Sequence, residues 1–354
     1  MNKLVGILLV SAATVGMASV TSAAPTVYIP LGTANEIVIV DAADDKVIDT
    51  VGDIVNPHGL AATPDGKYVV AGSNREVSPD QAALPPKPAG MSEEEHSLHH
   101  NMPTAAASQS GVGMSHVAIV ETQDRRVVRR VDVKGAVHHN LVTPDGRYAI
   151  STHTTAGGIS AIDLSNYKVA KVVPTGPVPN YAVVTKDGKR IYVSNAGNNT
   201  ISEIDTDHWI VTRNILAGPA PEHMVLSADE LTIYVNNIGD GTVSVISRDQ
   251  GKVVKTYSVG NDPHGVDLSD DGKKLLVAVK KDNKLIEIDL VSGRTRSLDL
   301  SPASYHVAAI PGTGKVYVSS RKEPLIWVVD QKRLAVVGKI PVRGEGHQMA
   351  VAGR

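Results

Sequence analysis

Short apolar strands recur along this chain in pairs, each pair joined through an Asp-Gly type of turn: "HGLAATPDGKYVVAGS", "HHNLVTPDGRYAISTH", "NYAVVTKDGKRIYVSN", "HMVLSADELTIYVNN", "HGVDLSDDGKKLLVAV" and "HVAAIPGTGKVYVSS". The second strand of each pair alternates as a half-buried strand does. A third strand follows, as in "NNTISEIDT" and "DGTVSVISR", and then a fourth, as in "WIVTRNILAG" and "KVVKTYSVG". Marking the turns at Asp145, Asp187, Asp229, Asp271 and Thr313 gives steps of 42 residues. Four strands in such a repeat make one blade of a propeller.

The count closes. Asp65 and Asp145 are 80 residues apart, one repeat enlarged by an insertion at about 74–114. Without that insertion, residues 25–354 amount to seven repeats. "TVYIPLGTANEIVIVDAADDKVIDTV" supplies three strands near the N-terminus and "GHQMAVAGR" supplies an innermost strand near the C-terminus. The expected fold is all-β: a seven-bladed β-propeller with four-stranded blades, its ring closed by pairing N- and C-terminal strands. Closure removes the exposed sheet edges that an open array would leave.

Composition fits and narrows this picture. Phe is absent and Trp occurs twice, so Val, Ile, Leu and Ala must build the core. The net charge of −2 comes with no basic run, which argues against nucleic acid as a partner. The first 24 residues, "MNKLVGILLVSAATVGMASVTSAA", have the early lysine, apolar stretch and small residues of a cleaved export leader. A membrane anchor is the rival reading, but Ser11, Thr14 and Ser19 interrupt the apolar stretch. The mature chain is expected in the periplasm or secreted, with no membrane span. There is no cysteine, so a metal would have to be held by His, Met or carboxylate.

Histidine is where the repeats carry chemistry. Six or seven residues before the turn marks, at the start of the innermost strand, stand His58, the pair His138 and His139, Asn180 with Tyr181, His223, His264 and His306; His347 has the same place in the closing strand. With 13 histidines in 354 residues, chance would put roughly a quarter of one in seven such slots. Innermost strands line the channel, so these imidazoles should converge at one mouth. Close imidazoles repel on protonation and stay neutral unless something takes their lone pairs. The sharper reading is a metal cluster, with copper first and zinc, nickel or iron behind it; the plainer one is an inherited polar channel lining. Glu222, Asp262 and Glu345 stand near ring histidines as candidate orienters. His138 and His139 pose a difficulty, because neighbours on an extended strand face opposite ways.

The segments "YVSNAGNNTISEID" and "YVNNIGDGTVSVIS" resemble the YVTN family of β-propeller repeat proteins, and the resemblance covers nearly all of the chain beyond the leader. The histidine slots resemble the copper-cluster propellers of nitrous oxide reductase and thiocyanate dehydrogenase. That resemblance implies copper, more than one ion, held by His58, His138, His139, His223, His264, His306 and His347. It also implies a small-molecule substrate and, for redox turnover, an external electron-transfer protein, since there is neither a cupredoxin domain nor a Cys. In the insertion, His96, His99, His100 and Met102 are possible auxiliary metal ligands, either on a surface loop or on a lid over the mouth. The function so implied is a copper oxidoreductase acting on a small inorganic nitrogen or sulfur compound. The competing classes are a non-catalytic copper- or haem-binding maturation propeller and a protein-interaction scaffold.

Overall fold

The computed structural model describes residues 24–77 and 112–352. They form seven four-stranded antiparallel sheets, with no α-helix among the described residues. Blade 1 runs from Pro57 to Lys134, blade 2 from Val137 to Pro174, blade 3 from Pro179 to Leu216, blade 4 from Pro221 to Ser258, blade 5 from Pro263 to Asp299 and blade 6 from Ser304 to Pro341. Blade 7 combines Thr26–Leu31, Glu36–Asp41 and Lys46–Val51 with Ala350–Ala352, which pairs antiparallel to the first of them. The all-β seven-bladed propeller closed by both ends of the chain is the observed fold. Residues 1–23 and the middle of the insertion, with His96, His99, His100 and Met102, lie outside the described residues.

Burial follows strand order. Second strands such as Tyr68–Ser73 and Arg190–Asn195 are buried beyond their first residue, because a neighbouring blade covers each face. Outermost strands such as Lys168–Pro174 are almost wholly exposed. Apolar clusters fill the gaps between neighbouring blades. Across the closure, Val27, Ile29 and Leu31 pack on Tyr317, Ile326 and Val328 of blade 6, while Ile37 and Ile39 meet Leu60, Val69 and Ala71 of blade 1. A polar latch spans the same joint: Lys315 Nζ lies 2.8 Å from Asp45 Oδ2, and the Tyr317 hydroxyl donates to Asp45 Oδ1 at 2.5 Å.

The turn after each innermost strand is a local device. The Thr185 hydroxyl donates to Asp187 Oδ1 at 2.5 Å and accepts from the Arg190 amide at 3.1 Å. Thr63, Thr143, Ser227 and Ser269 make the same bond to the Asp two residues on. Gly188 follows at φ +70°, where a side chain is disfavoured; blade 4 pays that strain at Glu230, φ +59°.

At the other end, the innermost strands of blades 1 to 6 each contain a β-bulge. Pro57 pairs with Ser73 and Leu60 with Ala71, so His58 and Gly59 together oppose one residue, Gly72. The same offset recurs at Val137/Asn140, Pro179/Ala182, Pro221/Met224, Pro263/Val266 and Ser304/Val307. In blade 7, bridges at Leu31–Gly346 and Tyr28–Ala350 enclose an equivalent extra residue. The insertion roots on this face: Val77 and Met114 exchange two backbone hydrogen bonds of 2.8 Å just beyond Ser73.

Candidate metal centre

The bulge settles the problem of the adjacent pair. Both of its residues sit where regular alternation is suspended, so His138 and His139 both reach the cluster, their rings 4.2 Å apart between centroids. It also creates two kinds of slot. The first bulge position holds His58, His138, Asn180, Glu222, His264, Tyr305 and His347 around the ring. The second holds Gly59, His139, Tyr181, His223, Gly265, His306 and Gln348.

Here the structure corrects one alignment. Counting back from Thr313 puts His306 level with His264, but pairing resumes at Val307 in blade 6 as it does at Val266 in blade 5. His306 is therefore the equivalent of Gly265, and Tyr305 that of His264. The backbone agrees: the amides of His139, Tyr181 and His306 donate to Thr152, Ser194 and Ser319 hydroxyls in the same way. Tyr305 stacks on His264 at 4.1 Å with planes 11° apart, as side chains in matching slots of adjacent blades can. Sequence reasoning missed Tyr305 and Gln348. Pairing register would have found both, but the turn mark hides it.

All seven predicted histidines converge. His58 lies 3.9 Å from His347, 4.4 Å from His138 and 6.5 Å from His306, ring centre to ring centre. His223 stands 4.3 Å from His264 and 4.8 Å from His306. Burial holds His58, His139, His223, His264, His306 and His347 well below the ordinary imidazole value; neighbouring imidazoles push the same way, and Lys280 and Arg321 add to it at His264. His138 is lowered by burial against the opposing charge of Glu222. At neutral pH the cluster is uncharged, and its ring nitrogens carry lone pairs.

Hydrogen bonds say which nitrogens. The Nδ1–H of His58 donates to the His138 carbonyl at 2.9 Å, and that of His139 to the Asn180 carbonyl at 2.9 Å. His138 Nδ1 reaches the same Asn180 carbonyl at 3.3 Å, a weaker contact on an oxygen that also accepts from Thr152 at 2.8 Å. His264 Nδ1 lies 3.0 Å from Glu222 Oε2. At His58 and His139 a backbone carbonyl fixes the proton on Nδ1 and makes Nε2 the basic nitrogen, the arrangement that orients histidine ligands in metal sites, whereas Glu222 Oε2 stands beside His264 without a hydrogen bond. His264 Nε2 and His306 Nε2 are buried without a partner, a state that is costly unless something binds there. Asn180, in the blade whose slot lacks histidine, thus serves the pair through its backbone.

Of the expected orienters, Glu222 alone comes as close as 3.0 Å to a ring nitrogen, that of His264, although its Oε2 makes no hydrogen bond. Asp262 is paired with Lys280 at 3.0 Å, and Glu345 is engaged by Arg321 with His347 Nε2 3.9 Å away. His153 and His208 stay apart from the cluster: His153 is buried against Ser160 at 2.7 Å and lowered to about 4, while His208 is exposed beside Asp205. Two groups bring three ligand atoms within 4.8 Å of one another: His139, His223 and His306, and Glu222, His223 and His264. No helix among the described residues is long and apolar enough to cross a membrane.

No protein-family model and no curated protein matches the chain. Solved structures do. Hydrazine synthase of Kuenenia stuttgartiensis is 19% identical with a TM-score of 0.64, over 82% of this chain and 87% of that one. The periplasmic gluconolactonase PpgL of Pseudomonas aeruginosa is 16% identical with a TM-score of 0.70, over 93% and 99%. The dihydro-heme d1 dehydrogenase NirN, in complex with DHE, is 13% identical with a TM-score of 0.63, over 89% of this chain and 63% of its own. At these identities the likeness is one of fold, and nothing in it is specific to the copper propellers of nitrous oxide reductase or thiocyanate dehydrogenase.

Proposed function

We propose that this is an exported copper-binding propeller whose channel histidines hold more than one ion, and that it acts as an oxidoreductase on a small inorganic nitrogen or sulfur compound. One observation carries the reading: neutral imidazoles meet in a buried mouth, with Nδ1–H tied to backbone carbonyls at His58 and His139 and with Nε2 of His264 and His306 left without a partner. A set of nitrogen donors with no thiolate and one nearby carboxylate suits copper ahead of the harder cations. Bound copper would supply one-electron redox steps and an open position for a small ligand. The chain's own part is to present lone pairs, to fix ring orientation through the His138 and Asn180 carbonyls, and to keep bulk water off the nitrogens. Electrons would come from an external carrier protein, and the leader at residues 1–24 would deliver the chain to the periplasm or beyond.

Haem is the second reading, favoured by the named substrate chemistry of NirN. Neighbouring imidazoles stand 3.9–6.5 Å apart between ring centres, and one of them would hold the haem iron through a ring nitrogen, with the haem supplying redox chemistry.

The test is elemental analysis of the exported, copper-loaded protein beside the variant His223→Ala/His264→Ala, with thermal melting to check the fold. More than one tightly held copper, lost in a folded variant, supports the reading. An intense haem absorption band and no copper would favour the alternative, and neither would leave an interaction scaffold.

A further inference from the structure

The two slots of the bulge are unlike in burial. The second-slot histidines His139, His223 and His306 are 1%, 3% and 3% exposed; His58, His264 and His347 in the first slot are each 6% exposed, and His138 is more open still. The second slot is the deeper tier, as expected of residues one step further along strands that start at the mouth.

That deeper tier alternates. Its histidines come from blades 2, 4 and 6, and the blades between them offer Tyr181 and Gly265. The glycines are enforced. A Cβ on Gly59 would lie 2.5 Å from the Cα of His139, and one on Gly265 would lie 2.6 Å from the carbonyl oxygen of Tyr305 and 2.8 Å from the Cα of His306. The backbone that carries each deep histidine in blades 2 and 6 occupies the space where the preceding blade would need a side chain. Blades 1 and 5 therefore have no room for a ligand in this tier, while blades 3 and 7 fill their places with Tyr181 and Gln348.

We infer that the seven histidines are two unequal sets, and that the first metal ion binds to His139, His223 and His306 alone. This rests on the reading of the mouth as a metal site and names its order of filling. The three ring centres are 4.5, 4.8 and 5.8 Å apart, and their ligand atoms lie within 4.8 Å of one another. Three neutral imidazoles form a ligand set without formal charge, suited to Cu(I), Zn(II) or Co(II) with a fourth position for a small exogenous ligand.

The protons support the same order. His139 donates through Nδ1, so its Nε2 is the acceptor in the 3.0 Å contact with His223 Nε2, and His223 carries its proton on Nε2 in the metal-free protein. His223 Nδ1 is accordingly buried without a partner. An ion that replaces this contact needs only a tautomer shift of one ring, from Nε2–H to Nδ1–H. The trio of Glu222, His223 and His264 shares His223 with the deep set, so a second ion there competes for a side chain already engaged and fills later. His58 and His347, with ring centres 3.9 Å apart and planes tilted by 41°, belong to neither trio.

Cobalt(II) titration of the metal-free full chain tests this through the visible bands of a four-coordinate ion, with no need of turnover. The expected result is one equivalent bound well ahead of any other. His306→Ala should weaken that first equivalent by at least about 100-fold, since loss of even a ligand's supporting partner costs about 10–100-fold, whereas His58→Ala should change it less than about threefold. His306→Gln serves if the alanine variant does not fold. Equal losses in the His58 and His306 variants, or two equivalents filling together, would overturn the order while leaving a metal-binding mouth intact. A wild-type chain that binds neither cobalt nor copper would overturn both.

Discussion

The two ends of each innermost strand differ in how they vary around the ring. At the turn end, a hydroxyl residue bonds an Asp two places on in five blades, with the same donor and acceptor each time. At the mouth, the backbone bulge repeats but the side chains do not: His, Asn, Glu and Tyr share one slot, and Gly, His, Tyr and Gln share the other. A turn serves its own blade, so every copy has the same task. Residues at the mouth face one another across the channel, and their tasks must be complementary. What repeats in this chain is therefore architecture, and what breaks the repeat is chemistry.

Acid should separate the two ends most strongly. Each of the six mouth histidines that burial holds well below the ordinary value resists protonation when folded, while in the unfolded chain it takes a proton near 6.5. Its folded value is the lower one, so stability is full above about pH 7 and falls as pH drops through 6.5. Between pH 7 and 5.5 each such ring should cost the metal-free protein on the order of 1 kcal/mol, several kcal/mol together. Urea unfolding at the two pH values measures this, and a flat profile would mean that the mouth is wet and no different from the turns.

A smaller effect sharpens the steric half of the comparison. Gly265→Ala should destabilise by about 1–3 kcal/mol through overpacking against blade 6. Gly52→Ala, with open space around its Cβ, should stay within about 0.5 kcal/mol of the parent. Equal melting temperatures for the two variants would remove the reason given for the empty slots in the deep tier. Smallest is the turn itself: Asp187→Ala should cost about 1 kcal/mol for its lost hydrogen bonds with metal uptake unchanged, and altered uptake would show that the two ends are coupled.

The repeat period, the blade count and the closing strand were all legible in the sequence, because turns and alternation are local signals. So was the convergence of the seven histidines, which follows from position in the repeat. The division into two tiers was not. It depends on one extra residue in the inner strand, visible only through the pairing of Pro57 with Ser73 and Leu60 with Ala71. Blade 6 adds a second obstacle: its "PGTG" turn sets Thr313 one place out of step with the bulge, so counting from it aligns His306 with the wrong neighbours. Asn180 was hidden for another reason, since it acts through a backbone carbonyl that any residue type would possess.

Parity has the last effect on this ring. An even number of blades could alternate deep histidines with other residues all the way round, but seven is odd and the pattern must fail once. It fails between His306 and His139, where Gln348 and Gly59 stand side by side on blades 7 and 1. Blade 7 also pairs the two ends of the chain, so the arithmetic defect of the centre borders the covalent gap in the ring. Next to the fault in the chain, and on the same two blades, stand His347 and His58, their ring centres 3.9 Å apart.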